Sequence, residues 1–176
     1  MFDKLLDLII SIWDKITFYV IIKQYQQGGL MRYGKLKKIL DPGIYFKIPI
    51  IDEIDCYHVL TTAMTLEAQS LTTVDDKEIV VKGVIKYKTS DLSKFFTEVY
   101  DAVDAISDVS MGIIKNVISK KTWQECREET LDNEITKKVR VEARKWGIEV
   151  EAVTLSDLSK MKSFRILTIN NKPIVE

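Results

Sequence analysis

Between Phe2 and Ile16 the apolar side chains recur at three-and-four spacing. Set about 100° apart, Asp3, Lys4, Asp7, Ser11, Asp14 and Lys15 fall in one narrow sector, while Phe2, Leu5, Leu6, Ile9, Ile12, Trp13 and Ile16 take the opposite face. The pattern predicts a strongly amphipathic helix over residues 1–16. From Thr17 the period changes. Thr17 to Ile22 is β-branched and aromatic, which favours a strand, Gln24 to Gly29 reads as a turn, and Leu30 to Tyr33 as the returning strand. Gly29 to Pro49 reads as two short strands folded on each other, with a turn glycine at Gly34 and a tight turn at Asp41-Pro42-Gly43. There Pro42 presets φ and Gly43 is expected to supply the positive φ of a type II turn. Pro49 has no amide hydrogen, so Ile44 to Ile48 lies at a sheet edge or ends there.

Ile54 to Leu66 reads as one strand that drifts at its ends. Asp75-Asp76 forms the turn of a hairpin, and Ile79 to Lys88 alternates, with Val81, Gly83, Ile85 and Tyr87 on one face and Lys82, Lys86 and Lys88 on the other. The period then lengthens. Ser90 or Asp91 caps a short helix through Val99, and Asp101 to Lys120 forms a second helix with Val103, Ile106, Val109, Ile113, Ile114 and Val117 on its apolar stripe. Thr122-x-x-Glu125 is a capping-box signature, from which a third helix is expected to run from Trp123 to Trp146 and stop at Gly147. The charge on its outer face predicts either a solvated surface or contacts with a neighbouring subunit. Ile148 to Leu155 returns to alternation, with Ile148, Val150, Ala152 and Thr154 on one side. The β-prone stretch Ser163 to Ile169 predicts one further short strand, on the same sheet or exchanged with a neighbour. The fold class that results is α+β: a mostly antiparallel N-terminal sheet, then helices and a returning strand, preceded by the amphipathic helix.

Charge refines the reading of the first helix. Asp7, Asp14 and Lys15 would each cost up to about 2.5 to 3.5 kcal/mol near the centre of a bilayer, against about 0.3 to 0.6 gained per Leu or Ile, so spanning is disfavoured. A cleavable signal peptide is a poor fit, because acidic residues interrupt the apolar run. Two placements remain: in the membrane interface, or docked on protein. Trp13 and the large aliphatics favour the interface, and the slightly acidic polar face points to attachment by insertion.

The 176 residues suit one domain, and 26 cations balance 26 anions, which argues against nucleic acid as the main partner. Cys56 and Cys126 are far apart and His58 is the only histidine, so no metal site and no catalytic dyad is expected; no cofactor is implied. Two lone cysteines fit a reducing compartment. Gly28-Gly29 belongs to no phosphate-cradling loop, and His58 reads as a packed or surface strand residue.

Several segments, taken in order, resemble a known family. Arg32-Tyr33-Gly34-Lys35, then Pro42-Gly43-Ile44-Tyr45-Phe46-Lys47-Ile48-Pro49, then Leu71 to Asp76 followed by Ile79 to Lys88 with Gly83 and Asp91, and last Trp146-Gly147-Ile148 with Val153 to Leu158, resemble the SPFH superfamily of stomatins, prohibitins and flotillins, also called Band 7 or prohibitin-homology domains. The likeness runs from about Thr17 to Leu158. It implies residues 1–16 as a membrane-interacting segment and 17–158 as the domain, with a strand-rich part 17–88 and a helix-rich part 89–158; residues 159–176 depart from the family pattern, a short β-prone tail standing where most members have a coiled coil. By the same resemblance, the motif positions are Arg32, Gly34, Pro42, Gly43, Pro49, Asp75, Gly83, Asp91, Trp146 and Gly147. The hairpin and the Pro-Gly strand would face the bilayer, and Lys35, Lys37 and Lys38 either meet lipid head groups or form a solvated turn. The implied function is a non-catalytic, self-associating scaffold on the cytoplasmic face of a membrane that organises lipid or protein. The alternative is an adaptor that modulates a membrane-bound protease or competes with a full-length SPFH protein.

Overall fold

The computed structural model describes residues 18–161. The predicted helix over residues 1–16 and the predicted strand Ser163 to Ile169 lie outside the described residues. The architecture is α+β, and its strands fall into three antiparallel groups.

The first group is a two-stranded ribbon, β1 (Tyr19–Ile22) with β4 (Gly43–Phe46), in the register Tyr19 opposite Phe46 and Ile21 opposite Ile44. The second is a three-stranded sheet in the order β3 (Lys35–Leu40), β2 (Gln26–Arg32), β5 (Asp52–His58). Two expectations for this region need correction. The strand before the turn does not pair with the strand after it, since β1 pairs with β4 and β2 takes β3 and β5 as neighbours. The ribbon instead packs over the face of the sheet that carries Gly28, where a Cβ would stand 2.6 Å from the Ile22 side chain. Nor does Gly43 complete a type II turn. Its φ of 158° is nearly extended and it opens β4. The positive φ values lie instead at Tyr33 (52°) and Gly34 (71°), which join β2 to β3 in the sense that suits a two-residue hairpin.

The expected single strand Ile54 to Leu66 is two strands in different sheets. β5 ends at His58, and after a break β6 (Thr62–Thr65) joins the third group. That group is built on the twelve-residue β8 (Glu78–Thr89). β6 and β7 (Gln69–Thr72) share one edge of β8 in tandem, and β9 (Ile148–Lys160) runs along the other. The alternation predicted for β8 holds: Ile79, Val81, Ile85 and Tyr87 are buried and Lys82 and Lys86 are exposed. In β9 it fails at Ala152. Register steps make Glu151 and Ser156 extra residues, and each bulge reverses the parity, so that Val153 is buried while Thr154 is exposed. β9 also continues to Lys160, two residues past the expected end of the domain.

Asp91 caps α1 (Leu92–Thr97), its carboxylate accepting from the amides of Ser93 and Lys94, and Asp101 does the same for α2 (Ala102–Ile118) at Val103 and Asp104. The capping box forms, with the Glu125 carboxylate accepting from the amide and hydroxyl of Thr122. It starts only a 3-10 turn, Glu125–Arg127; Glu128 is extended (ψ 142°), and α3 begins afresh at Thr130 and ends at Ala143. The break has a packing reason. Leu131, Ile135 and Val139 form the buried stripe of α3, and an unbroken helix would carry Arg127 onto that stripe and Cys126 off it. With the break, Cys126 is buried and Arg127 is exposed.

The main core lies between the β8/β9 sheet and the two long helices, where Ile79, Ile85, Ile106, Ile114, Ile135 and Ile148 are fully buried. α1 covers the opposite face of the three-stranded sheet from the ribbon, at Gly29, where a Cβ would meet the Phe96 ring at 2.5 Å.

Candidate functional site

The motif positions fall in two groups. The first is spread along β8, whose twelve residues separate Asp75 before its start from Asp91 after its end. The amides of Ser90 and Asp91 both donate to the Gly147 carbonyl, at 2.8 and 3.0 Å, and the Ser90 hydroxyl donates to it at 3.0 Å. Gly147 is left-handed (φ 73°), and a Cβ on it would collide with the Asp91 carbonyl oxygen. Thus Asp91 and the Trp146-Gly147 pair, distant in sequence, are in contact. Asp75 ties the β7–β8 turn to the segment after α2, accepting from the Thr73 hydroxyl at 2.6 Å and the Trp123 amide at 3.1 Å; these bonds hold its carboxyl below the usual range. Gly83 lets Leu66 pack closely against β8: a Cβ there would stand only 3.3 Å from the Leu66 side chain. All of this is structural work.

The second group is the ribbon and the loop that follows it. Arg32 donates from Nε and Nη2 to the Asp52 carboxylate at 2.6 and 2.9 Å. Asp52 also accepts from the Ile48 amide at 3.0 Å, and its own amide donates to the Ile48 carbonyl at 2.9 Å. The Tyr33 amide donates to Ile51 at 3.2 Å. Asp52 therefore pins the loop 47–51, which contains Pro49, to the β2–β3 hairpin. The Arg32 guanidinium and the Ile48 amide hold its carboxyl at about 2, below its ordinary 3.8.

What this scaffold presents is apolar. Along β4 and the loop the exposure alternates strictly: Ile44, Phe46, Ile48 and Ile50 are exposed, and Tyr45, Lys47 and Pro49 are half-buried. Across the ribbon Tyr19 and Ile21 share the outer face with Phe46 and Ile44, and Phe18 and Tyr33 are exposed nearby in the chain. Phe46 is 83% exposed and Ile50 completely so, whereas Ile22, on the inner face, is 2% exposed. Ile50 also has a φ of 73°, a conformation that a β-branched residue rarely adopts. A run of large apolar side chains turned outward, with a backbone outlier after it, is the candidate interaction surface among the described residues.

Periodicity alone does not give the ribbon's outward orientation, because Ile-x-Phe-x-Ile-x-Ile has the same period whether its apolar face is covered or bare; only the family resemblance pointed that strand outward. Asp52 was missed because an acid twenty positions from its arginine leaves no local signature. The predicted membrane-binding residues Phe2, Leu5, Leu6, Ile9, Ile12, Trp13 and Ile16 lie outside the described residues. The chain re-enters at Phe18, on the ribbon itself.

The clefts offer little chemistry. One of about 570 Å³ between β5 and the start of α2 is lined by Tyr57, Phe96, Tyr100, Asp55, Asp101 and Asp104, among others, and holds no serine, cysteine or histidine. His58 stacks on Tyr25 with ring centroids 5.2 Å apart. Among the described residues no group of three or more His, Cys, Asp or Glu could hold a metal, and no helix is long and apolar enough to cross a membrane.

Comparison with known proteins gives one family model that matches, described as the SPFH domain / Band 7 family, over residues 20–166. An uncharacterized protein of Archaeoglobus fulgidus is 26% identical over 160 residues, covering 90% of this chain and 64% of the relative. A stomatin homologue of Pyrococcus horikoshii is 26% identical over 140 residues, covering 78% of this chain and 53% of the relative. Protein HflC of Haemophilus influenzae is 27% identical over 85 residues, covering 44% of this chain and 29% of the relative. The match thus spans about half to two thirds of the first two relatives.

Proposed function

The chain belongs to the SPFH domain / Band 7 family, and from that premise we propose that it is a non-catalytic membrane scaffold that docks on a leaflet through the outer face of the β1–β4 ribbon and associates with copies of itself. The observation that carries this reading is the bare apolar face of Tyr19, Ile21, Ile44, Phe46, Ile48 and Ile50. Each such side chain is worth about 1.5 to 3 kcal/mol when fully removed from water. Four of them sunk to half depth would supply several kcal/mol, enough for reversible attachment without a spanning helix. The amphipathic helix that the sequence predicts over residues 1–16 would add its own apolar face to the attachment. The cytoplasmic side is the compartment favoured, supported by the free thiols Cys56 and Cys126.

Vesicle flotation of the full chain tests the reading. The double variant Ile44→Asp/Phe46→Asp should float at least tenfold less than the parent, with the thermal midpoint unchanged because both side chains are already in water. Undiminished flotation of that variant would refute docking through the ribbon. Deletion of residues 1–16 measures the helix's share: flotation that does not change removes the helix as an anchor. Affinity purification from membranes separates the two roles. Recovery of the chain with lipid and itself supports the scaffold, and a stoichiometric protease supports the adaptor.

A further inference from the structure

The basic residues of the strand-rich part are not scattered. Of the 26 cations and 26 anions in the chain, residues 18–51 hold six cations, Lys23, Arg32, Lys35, Lys37, Lys38 and Lys47, against one anion, Asp41. The register of the three-stranded sheet says which way they face. Gly28 looks toward the ribbon, because a Cβ there would meet Ile22, so Leu30 and Arg32, two and four residues on, look the same way. Lys38 stands opposite Leu30 and Lys35 opposite Arg32, and residues directly opposite one another share a face. Lys37 is the extra residue of the β3 bulge that keeps both pairs in this phase. Arg32 is spent on Asp52, but Lys35, Lys37 and Lys38 are exposed and form no ion pair among the described residues. Of the acids of β5, Asp52 is taken up by Arg32 and the other two lie on the other side: Asp55 stands opposite Gly29, which looks toward α1, and Glu53 is two residues away.

We propose that Lys35 and Lys38, with Lys37 beside them, form a basic collar beside the apolar ribbon that selects a leaflet bearing anionic head groups. The proposal rests on the ribbon being the membrane-facing surface. Charge complementarity identifies the occupant: a soluble protein partner could cover an apolar face, but unpaired lysines with flexible four-carbon stems flanking a bare Ile/Phe surface match the two layers of a leaflet, phosphate outside and hydrocarbon within. The chain's net charge is zero, so the attraction rests on this local excess of cations and not on a basic surplus of the whole molecule. Near an anionic leaflet each lysine contributes about fivefold to the partition coefficient, and the effect decays within a Debye length of about 10 Å at 0.1 M salt.

The test is partitioning of the full chain onto vesicles of phosphatidylcholine alone or mixed with phosphatidylserine. The mixed vesicles should bind at least tenfold more tightly at about 0.1 M salt, and the gain should vanish at about 1 M. Lys35→Glu/Lys38→Glu should lose the gain while keeping the affinity for phosphatidylcholine; Lys82→Glu/Lys86→Glu, the same charge change on the solvent face of β8, should keep it. Equal binding of the parent to both vesicles overturns the collar and leaves ribbon docking intact, as does a gain retained by Lys35→Glu/Lys38→Glu. Binding to neither vesicle overturns both. The salt dependence of the parent needs no variant, so the result stands even if the charge-reversed chain folds poorly.

Discussion

Asp52 and Ile50 sit at the two ends of one loop's logic, the first holding it and the second displayed by it. Because the Asp52 carboxyl is lowered from 3.8 to about 2 on folding, it contributes stability that is complete above about 4 and is lost as pH falls through about 2. Asp75, Glu125 and Glu134 are lowered as well, so acid melts of the parent alone would not isolate it. The difference from Asp52→Asn does. The variant should melt below the parent at neutral pH, and the gap should close between pH 4 and 2; a gap independent of pH would exclude the Arg32–Asp52 pair as its source. Ile50 costs stability. A left-handed β-branched residue carries about 1 to 2 kcal/mol of strain, and Ile50 is completely exposed, so no packing offsets it. Ile50→Asn should therefore raise the midpoint by about 2 to 4 °C, and at the same time weaken vesicle binding. A variant that is stabilised with binding intact would mean that the outlier has no part in docking.

At the scale of elements, what the sequence makes legible is whatever local chemistry decides. The β7–β8 hairpin, the alternation of β8, the cap at Asp91 and the stop at Gly147 all follow from neighbours within a few residues. Tertiary pairing decides the rest. Nothing within Ile54 to Leu66 says that its halves belong to different sheets, and the bulges of β9 are visible only against β8. The third helix is another case, because some of its polar side chains are turned to β9 and not to solvent. Asp132, Thr136 and Arg140 lie four residues apart and serve the outer edge of β9: Asp132 accepts from the Leu155 amide, Thr136 Oγ1 accepts from the Val153 amide at 2.9 Å and donates to its carbonyl, and Arg140 donates to the carbonyls of Val150 and Glu151. α3 thus closes an edge strand with side chains in place of another strand. Burial raises the Asp132 carboxyl as part of that arrangement. Thr136→Val keeps the shape and leaves both Val153 groups without partners, which should cost about 1 to 3 kcal/mol. Chemical denaturation reads this directly, and a loss under about 0.5 kcal/mol would indicate that water replaces the hydroxyl.

Over the whole molecule, stability and display are assigned to different layers. The fully buried side chains belong almost wholly to β8, β9, α2 and α3, whereas the ribbon is a two-stranded unit with one face bare, attached through Ile22 over Gly28 and through the loop that Asp52 pins. Two strands alone are marginal in water, so the ribbon is expected to open locally at a far lower free energy than the core. Native-state hydrogen exchange should then rank the amides. Those of Val81, Ile85 and Val150 should exchange only through global unfolding, while Val20 and Tyr45 should exchange through an opening insensitive to denaturant. Vesicles change the ranking if the ribbon is the docking surface, because burying its outer face adds the binding free energy to the local opening and leaves the core amides where they were. Protection gained at Val20 and Tyr45, with none at Val81, would tie lipid contact to this one layer. Equal protection gained throughout would mean that the membrane stabilises the chain as a unit, and the separation of roles drawn here would fail.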